Sequence, residues 1–221
     1  MESSLRARYD KTYNGIVDSV LKMGAMIEQA IRNSLASLQN RDLILAEEVV
    51  ERDEDINKLR FEIEEACLAL IATQQPTARD LRAVIAAMNI VIDLERMGDH
   101  ASGIAKTVIR MGEQPLLKPL IDIPRMAELA LEMLRGSLKA FVDVDPDSAK
   151  AIAPRDEEMD HLYRAIFDEL IGLMAKNPEG VERATYLLWT AHNLERIGDR
   201  VTNIAEQVVF MSTGHFEELN T

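Results

Sequence analysis

The chain has 221 residues, 47% of them apolar, with seven prolines, ten glycines, one cysteine and a formal net charge of −13. That acidic balance opposes binding to phosphate backbones and to anionic lipid, which argues against nucleic acid as a partner and favours cations and basic protein surfaces. The apolar content suffices for a buried core. The lone Cys67 excludes an intrachain disulfide and fits a reducing cytosol.

Six helices are predicted in chain order. The first runs from about Ser4 to Gln39, with Ile16, Val20, Met23, Ile27, Ile31, Leu35 and Leu38 at spacings of three and four. Asp42 caps the second, which reaches about Thr73 and is stopped by Gln74-Gln75-Pro76. Thr77 caps the third, which extends to Met111. Gly112 to Pro124 holds a glycine and three prolines and marks a boundary. The fourth helix runs from about Pro124 to before Asp143. Asp145-Pro146 opens the fifth by a cap followed by a first-turn proline, and Pro154 should kink it or split off its first turn. Asn177-Pro178 repeats the signal for the sixth, which ends near Thr213-Gly214.

No β-type alternation appears, so the expected class is all-α. Helices of this length cannot each hide an apolar face alone, and each half should close into an antiparallel three-helix bundle. The predicted division is 1–113 for the first bundle, 114–123 for the linker, 124–213 for the second bundle and 214–221 for a frayed tail. The N-terminus (Met-Glu-Ser-Ser-Leu-Arg) has no apolar signal region, and the best apolar run, Ala83–Met88, is far too short to span a bilayer. A cytoplasmic protein is expected, without direct membrane insertion, peripheral to the membrane only through partners.

The chain repeats itself. Leu94-Glu-Arg-Met-Gly-Asp99 returns as Leu194-Glu-Arg-Ile-Gly-Asp199, and 93–111 laid over 193–211 gives 9 identities in 19 positions. Upstream, Arg52-Asp-Glu-Asp-Ile-Asn57 answers to Arg155-Asp-Glu-Glu-Met-Asp160. A repeat half the chain long is too long for a solenoid module and reads as a domain duplicated in tandem.

The repeated stretch carries acids that core packing does not require. On a helical wheel Leu94, Met97, Ala101, Ile104, Ala105 and Val108 face one way, while Glu95 and Asp99 fall on the opposite side, one turn apart. Glu195 and Asp199 repeat the pair. Neighbouring like charges cost a few tenths of a kcal/mol on a helix, a cost a multivalent cation would reverse. Asp53 with Asn57, and Asp156 with Asp160, share the four-residue spacing. Two such pairs on adjacent helices would offer oxygen ligands to a hard cation such as Mg²⁺, Ca²⁺, Mn²⁺ or Fe³⁺. The competing reading is a solvated acidic face. Arg96 and Arg196 are expected to bridge Asp99 and Asp199. Gly98 and Gly198 should permit close approach of another helix or a ligand. Cys67 reads as a buried small hydrophobe, and the four histidines show no paired metal spacing.

Gln75–Arg82 (Gln-Pro-Thr-Ala-Arg-Asp-Leu-Arg), Asp93–Ala101 and Asn193–Arg200 together resemble the PhoU family of bacterial phosphate-signalling regulators, over nearly the whole chain. The resemblance implies two three-helix bundles and multinuclear clusters of iron or zinc on Glu/Asp-x-x-x-Asp motifs. It also implies a non-enzymatic negative regulator of the phosphate-starvation response and of phosphate uptake. Such proteins couple the high-affinity phosphate ABC transporter, through its ATPase subunit, to the sensor histidine kinase PhoR, and many are homodimers. By position the motif residues are Asp53, Glu95 and Asp99 in the first half, and Asp156, Asp160, Glu195 and Asp199 in the second. Asn57 departs from the acidic pattern and should weaken a first-half site. Asn193 in place of the acid at Asp93 is a second difference between the halves.

Two other readings compete. A di-iron carboxylate enzyme wants Glu-x-x-His on two helices, whereas Glu158-x-x-His161 is the only example here, and no nucleophile–base set or phosphate loop appears. A metal-free helical adaptor needs nothing beyond the acidic face.

Overall fold

Ile16, Val20, Met23, Ile27, Ile31 and Leu38 recur every three, four or seven residues, and all are buried. They form one stripe of α1 (Glu2–Asn40), the first of three long helices that close the first half. The computed structural model describes residues 2–219. The second helix, α2 (Leu43–Gln74), starts where the Asp42 carboxylate accepts the Leu45 N–H at 3.0 Å. It ends where Gln75 turns left-handed, and α3 (Ala78–Met111) follows.

The second half repeats the plan with one break. After α4 (Asp122–Asp143), Asp145 caps the short α5 (Pro146–Lys150) by accepting from the Asp147 and Ser148 amides. Pro154 then opens α6 (Ala153–Lys176), so the expected fifth helix is two helices, split at the proline. The last long helix is α7 (Val181–Thr213). Gly214, at φ 81°, ends it by donating to the Phe210 carbonyl. The protein is thus all-α, two antiparallel three-helix bundles in tandem, and among the described residues no helix is long and apolar enough to cross a membrane.

Two expected caps are absent. Thr77 gives no side-chain cap to α3; Ala78 behind it sits at φ 47°, and the turn closes through the Asp80 N–H to the Thr77 carbonyl. Asn177 likewise caps nothing with its side chain. Pro178 supplies no N–H, and a 3₁₀ turn over Pro178–Gly180 closes through backbone instead.

The expected frayed tail is fastened as far as residue 219. Phe216 stacks on Phe210 with ring centres 4.1 Å apart, the Leu219 N–H reaches Glu206 at 2.8 Å, and Glu217 pairs with Lys150 at 2.7 Å.

The halves share one core, joined chiefly where α3 packs on α7. The two helices run antiparallel: Asn89 bonds Gln207, Asp93 bonds Asn203, and His100 Nδ1 lies 3.0 Å from Asn193 Oδ1. The contact of Asp93 with Asn203 and the close approach of Asn193 Oδ1 to Gly103 are images of one another under the repeat. Positions 93 and 193 therefore belong to the seam between the halves. Asp93 takes part in that seam from burial, which raises its pKa, with the Asn203 amide at 3.0 Å and Arg200 at 3.6 Å opposing the shift.

Candidate functional site

The repeated acids lie where the motif helix of each half meets its neighbour, α3 against α2 and α7 against α6. The glycine of each motif makes room for that meeting. A Cβ on Gly198 would come within 3.1 Å of Asp156 Oδ1, and one on Gly98 within 3.3 Å of Asp53 Oδ1. The first acid of the upstream motif thus leans over the glycine of the downstream motif, in both halves. The expectation that these glycines permit close approach is met by the adjacent helix.

In the second half the four carboxylates act on one another. Glu195 is raised to about 7, first by burial, then by Asp199, with Asp160 and Asp156 adding to the push. Asp199 is raised by burial and by Asp160, against the Arg196 guanidinium 2.6 Å away. That Arg196–Asp199 bridge is the one expected from the sequence; no matching Arg96–Asp99 bridge forms among the described residues. Asp156 is buried, and Asp160, more open, pairs with Arg164 at 3.3 Å. Glu195 Oε2 is shielded from solvent and has no hydrogen-bond partner. The nearest cationic candidate is His192 Nδ1 at 3.6 Å, too long for a hydrogen bond.

The first half gathers Asp53, Glu95 and Asp99 in the same way. The pKa of Asp53 is raised by burial and then by the neighbouring charge of Asp99; that of Glu95 is raised by burial and then by Asp99. Two differences set it apart from the second. Asn57 sits half-buried where the second half has Asp160. Arg60, stacked on the Phe61 ring, lies 3.7 Å from Glu95, and the repeat places Tyr163 at that position in the second half. The motif glutamate thus faces a guanidinium in the first half, whereas in the second half the guanidinium groups, Arg196 and Arg164, lie on Asp199 and Asp160 instead.

Arg60, Tyr163 and His192 were not singled out in the sequence. Alignment of the repeat at the offset joining Asp53 to Asp156 pairs Arg60 with Tyr163, and that charge difference was the available signal. The wheel also put both glutamates on an open face. The Glu95 and Glu195 side chains are each only 19% exposed, because a single-helix wheel omits the neighbouring helix that covers them.

Among the described residues, no three His, Cys, Asp or Glu side chains form a set that could hold a metal ion as they stand. The donor chemistry of the second half nevertheless suits a cation. Its ligand candidates are all carboxylates, they repel one another, and one buried oxygen is unsatisfied.

Fold and site together define a class: a duplicated helical bundle that carries a shielded carboxylate cluster on each repeat. The chain belongs to the PhoU family, since the PhoU domain matches residues 20–108 and again 123–208. The phosphate-specific transport system accessory protein PhoU homolog of Clostridium acetobutylicum is 35% identical over 216 residues, 97% of this chain and 99% of that one. The Rhizobium meliloti protein of the same description is 36% identical, covering 95% of this chain and 89% of that one. The crystal structure of PhoU from Pseudomonas aeruginosa superposes with a TM-score of 0.89 at 32% identity, covering 94% of this chain and 100% of that one. The phosphate transport system regulatory protein PhoU from Streptococcus pneumoniae gives 0.88 at 35% identity, covering 95% and 99%.

Proposed function

We propose that this protein is a non-enzymatic accessory regulator of a phosphate-specific transport system. It acts as a negative regulator of the phosphate-starvation response, coupling the ATPase subunit of the phosphate ABC transporter to a sensor histidine kinase of the PhoR type, as a cytoplasmic homodimer. The observation that carries this reading is the end-to-end likeness to PhoU proteins described as accessory to phosphate-specific transport. The acidic, helical surface supports a protein-binding role, because its charge is complementary to basic protein faces and repels phosphate backbones.

We propose further that the carboxylate clusters take up metal ions, iron or zinc or a harder cation, with the second half the stronger site. Glu195 and Asp199 on α7 would hold the ion with Asp156 and Asp160 on α6. Side-chain rotation would have to draw these carboxylates together. A bound cation would neutralise the repulsion that now helps raise the pKa of Glu195 and Asp199. In the first half Asp53, Glu95 and Asp99 would serve with the neutral oxygen of Asn57, while Arg60 competes for Glu95.

Affinity purification from phosphate-replete cells tests the regulatory reading. Recovery of a transporter ATPase and a sensor kinase is expected. Recovery of neither would overturn it.

A further inference from the structure

Aromatic side chains gather on one band of the surface where α6 packs on α7. The Phe167 ring centre lies 6.4 Å from that of Tyr163, and the Trp189 ring centre 5.8 Å from that of Tyr186. Phe167, Ile171 and Trp189 are 40%, 44% and 43% exposed. Beside Phe167 opens a shallow hollow of about 370 Å³, lined by Tyr163, Arg164, Phe167 and Asp168. The fold does not require these rings. The repeat places Glu64 at Phe167, Ala86 at Tyr186 and Asn89 at Trp189, and the first half packs the equivalent helices α2 and α3 with them. Exposed rings that packing does not need mark a surface covered by another molecule.

The charges around the band point to a second copy of the chain. Arg110 lies over the Trp189 ring at 5.9 Å, Asp168 borders the hollow, and neither has an ion pair among the described residues. Their neighbours are matched: Arg164 by Asp160 at 3.3 Å, Glu169 by Lys118, and Glu182 by the Tyr186 hydroxyl at 2.9 Å. Because α7 lies between α3 and α6, Arg110 and Asp168 stand on opposite sides of Trp189. A two-fold axis through the band therefore brings the Arg110 of each copy to the Asp168 of the other. The exposed apolar residues of α2 offer no such match. Phe61 and Leu68 lie beside Glu62 and Glu65, which are unpaired among the described residues, and two copies meeting there would set acid against acid.

We propose that two copies of the chain meet through this band, taking the homodimeric reading above as given. Phe167, Ile171 and Trp189 of each copy are covered by the other, and the hollow beside Phe167 receives an aromatic ring of the facing copy. Two Arg110–Asp168 pairs close the rim. Tryptophan and arginine at the centre of such a face are the residue types that carry most of the binding energy in protein interfaces.

Sedimentation of the full chain, read with the fluorescence of its single tryptophan, tests this. The parent should sediment at twice the 24.8 kDa mass of the chain. Phe167→Glu, the first half's own residue at that position, should sediment as a monomer with the parent's circular dichroism. Its emission should move to longer wavelength, because Trp189 is then open to water. Leu68→Glu on α2 should leave the dimer intact. Arg110→Glu and Asp168→Arg should each weaken dimerisation about tenfold, since each change turns two attractive pairs repulsive, and the two together should restore the parent's affinity. A parent that sediments as a monomer overturns the proposal together with the homodimeric reading. A dimeric parent whose Phe167→Glu variant stays dimeric with unchanged emission, or a charge-swapped double variant no tighter than either single one, overturns this face and leaves the homodimer standing.

Discussion

Glu195→Gln should stabilise the metal-free protein, by an amount that grows from pH 4.5 to about 7 and is complete above that range. Burial, with Asp199 next, raises this carboxyl from 4.5 to about 7. Between those values the folded chain holds a proton that the unfolded chain has already released. Stability is therefore lost as pH climbs from 4.5 to about 7, and the full penalty persists above that range. At about 1.4 kcal/mol per pKa unit the ceiling is about 3 kcal/mol, and water reaching the exposed part of the side chain reduces it to about 1–2 kcal/mol. A chain of this length moves by roughly 2–4 °C per kcal/mol. Calorimetry in chelator should therefore show the variant melting about 2–8 °C above the parent near pH 8, and close to it near pH 5. Glu157→Gln, at an exposed position, should change neither value. An unchanged or lower melting temperature for Glu195→Gln near pH 8 would refute the reasoning, since the carboxylate would then not be held at a cost.

Added Mn²⁺, Fe³⁺ or Zn²⁺ should raise the parent's melting temperature by mass action; Glu195→Gln with Asp199→Asn should remove most of that gain, and Glu95→Gln with Asp99→Asn should remove less. A parent whose melting temperature ignores all three metals would end the metal reading. Asp93→Ala should cost about 1–2 kcal/mol in denaturant unfolding, because Asn203 and Arg200 lose a buried acceptor at the seam; wild-type stability would show that the seam contact is idle. Limited proteolysis should cut first between residues 112 and 121, the stretch joining α3 to α4, and the two fragments should stay associated through α3 and α7. First cleavage inside a long helix would contradict this.

Much of the fold was legible because local signals agreed with one another. The stripe from Ile16 to Leu38, the Asp42 and Asp145 caps and the break at Pro154 each report on a few neighbouring residues, and each survives folding. Thr77 and Asn177 failed as caps because their turns close by backbone bonds, which no side-chain pattern records. The candidate acids were readable from the duplication, and so was the room made by Gly98 and Gly198. Their surroundings were not. That Glu195 lies under α6, that Arg60 reaches Glu95, and that Asp93 serves the seam all depend on which helix lies next to which. A one-helix wheel is silent on that.

If this protein holds the phosphate-starvation response off when phosphate is plentiful, as proposed, its loss releases that response. Transcript levels of phosphate-scavenging genes, measured in phosphate-rich medium with and without the gene for this chain, test it most directly. The account predicts strong derepression in the deletion strain and restored repression when the intact chain is returned. An unchanged expression profile in the deletion strain would contradict it.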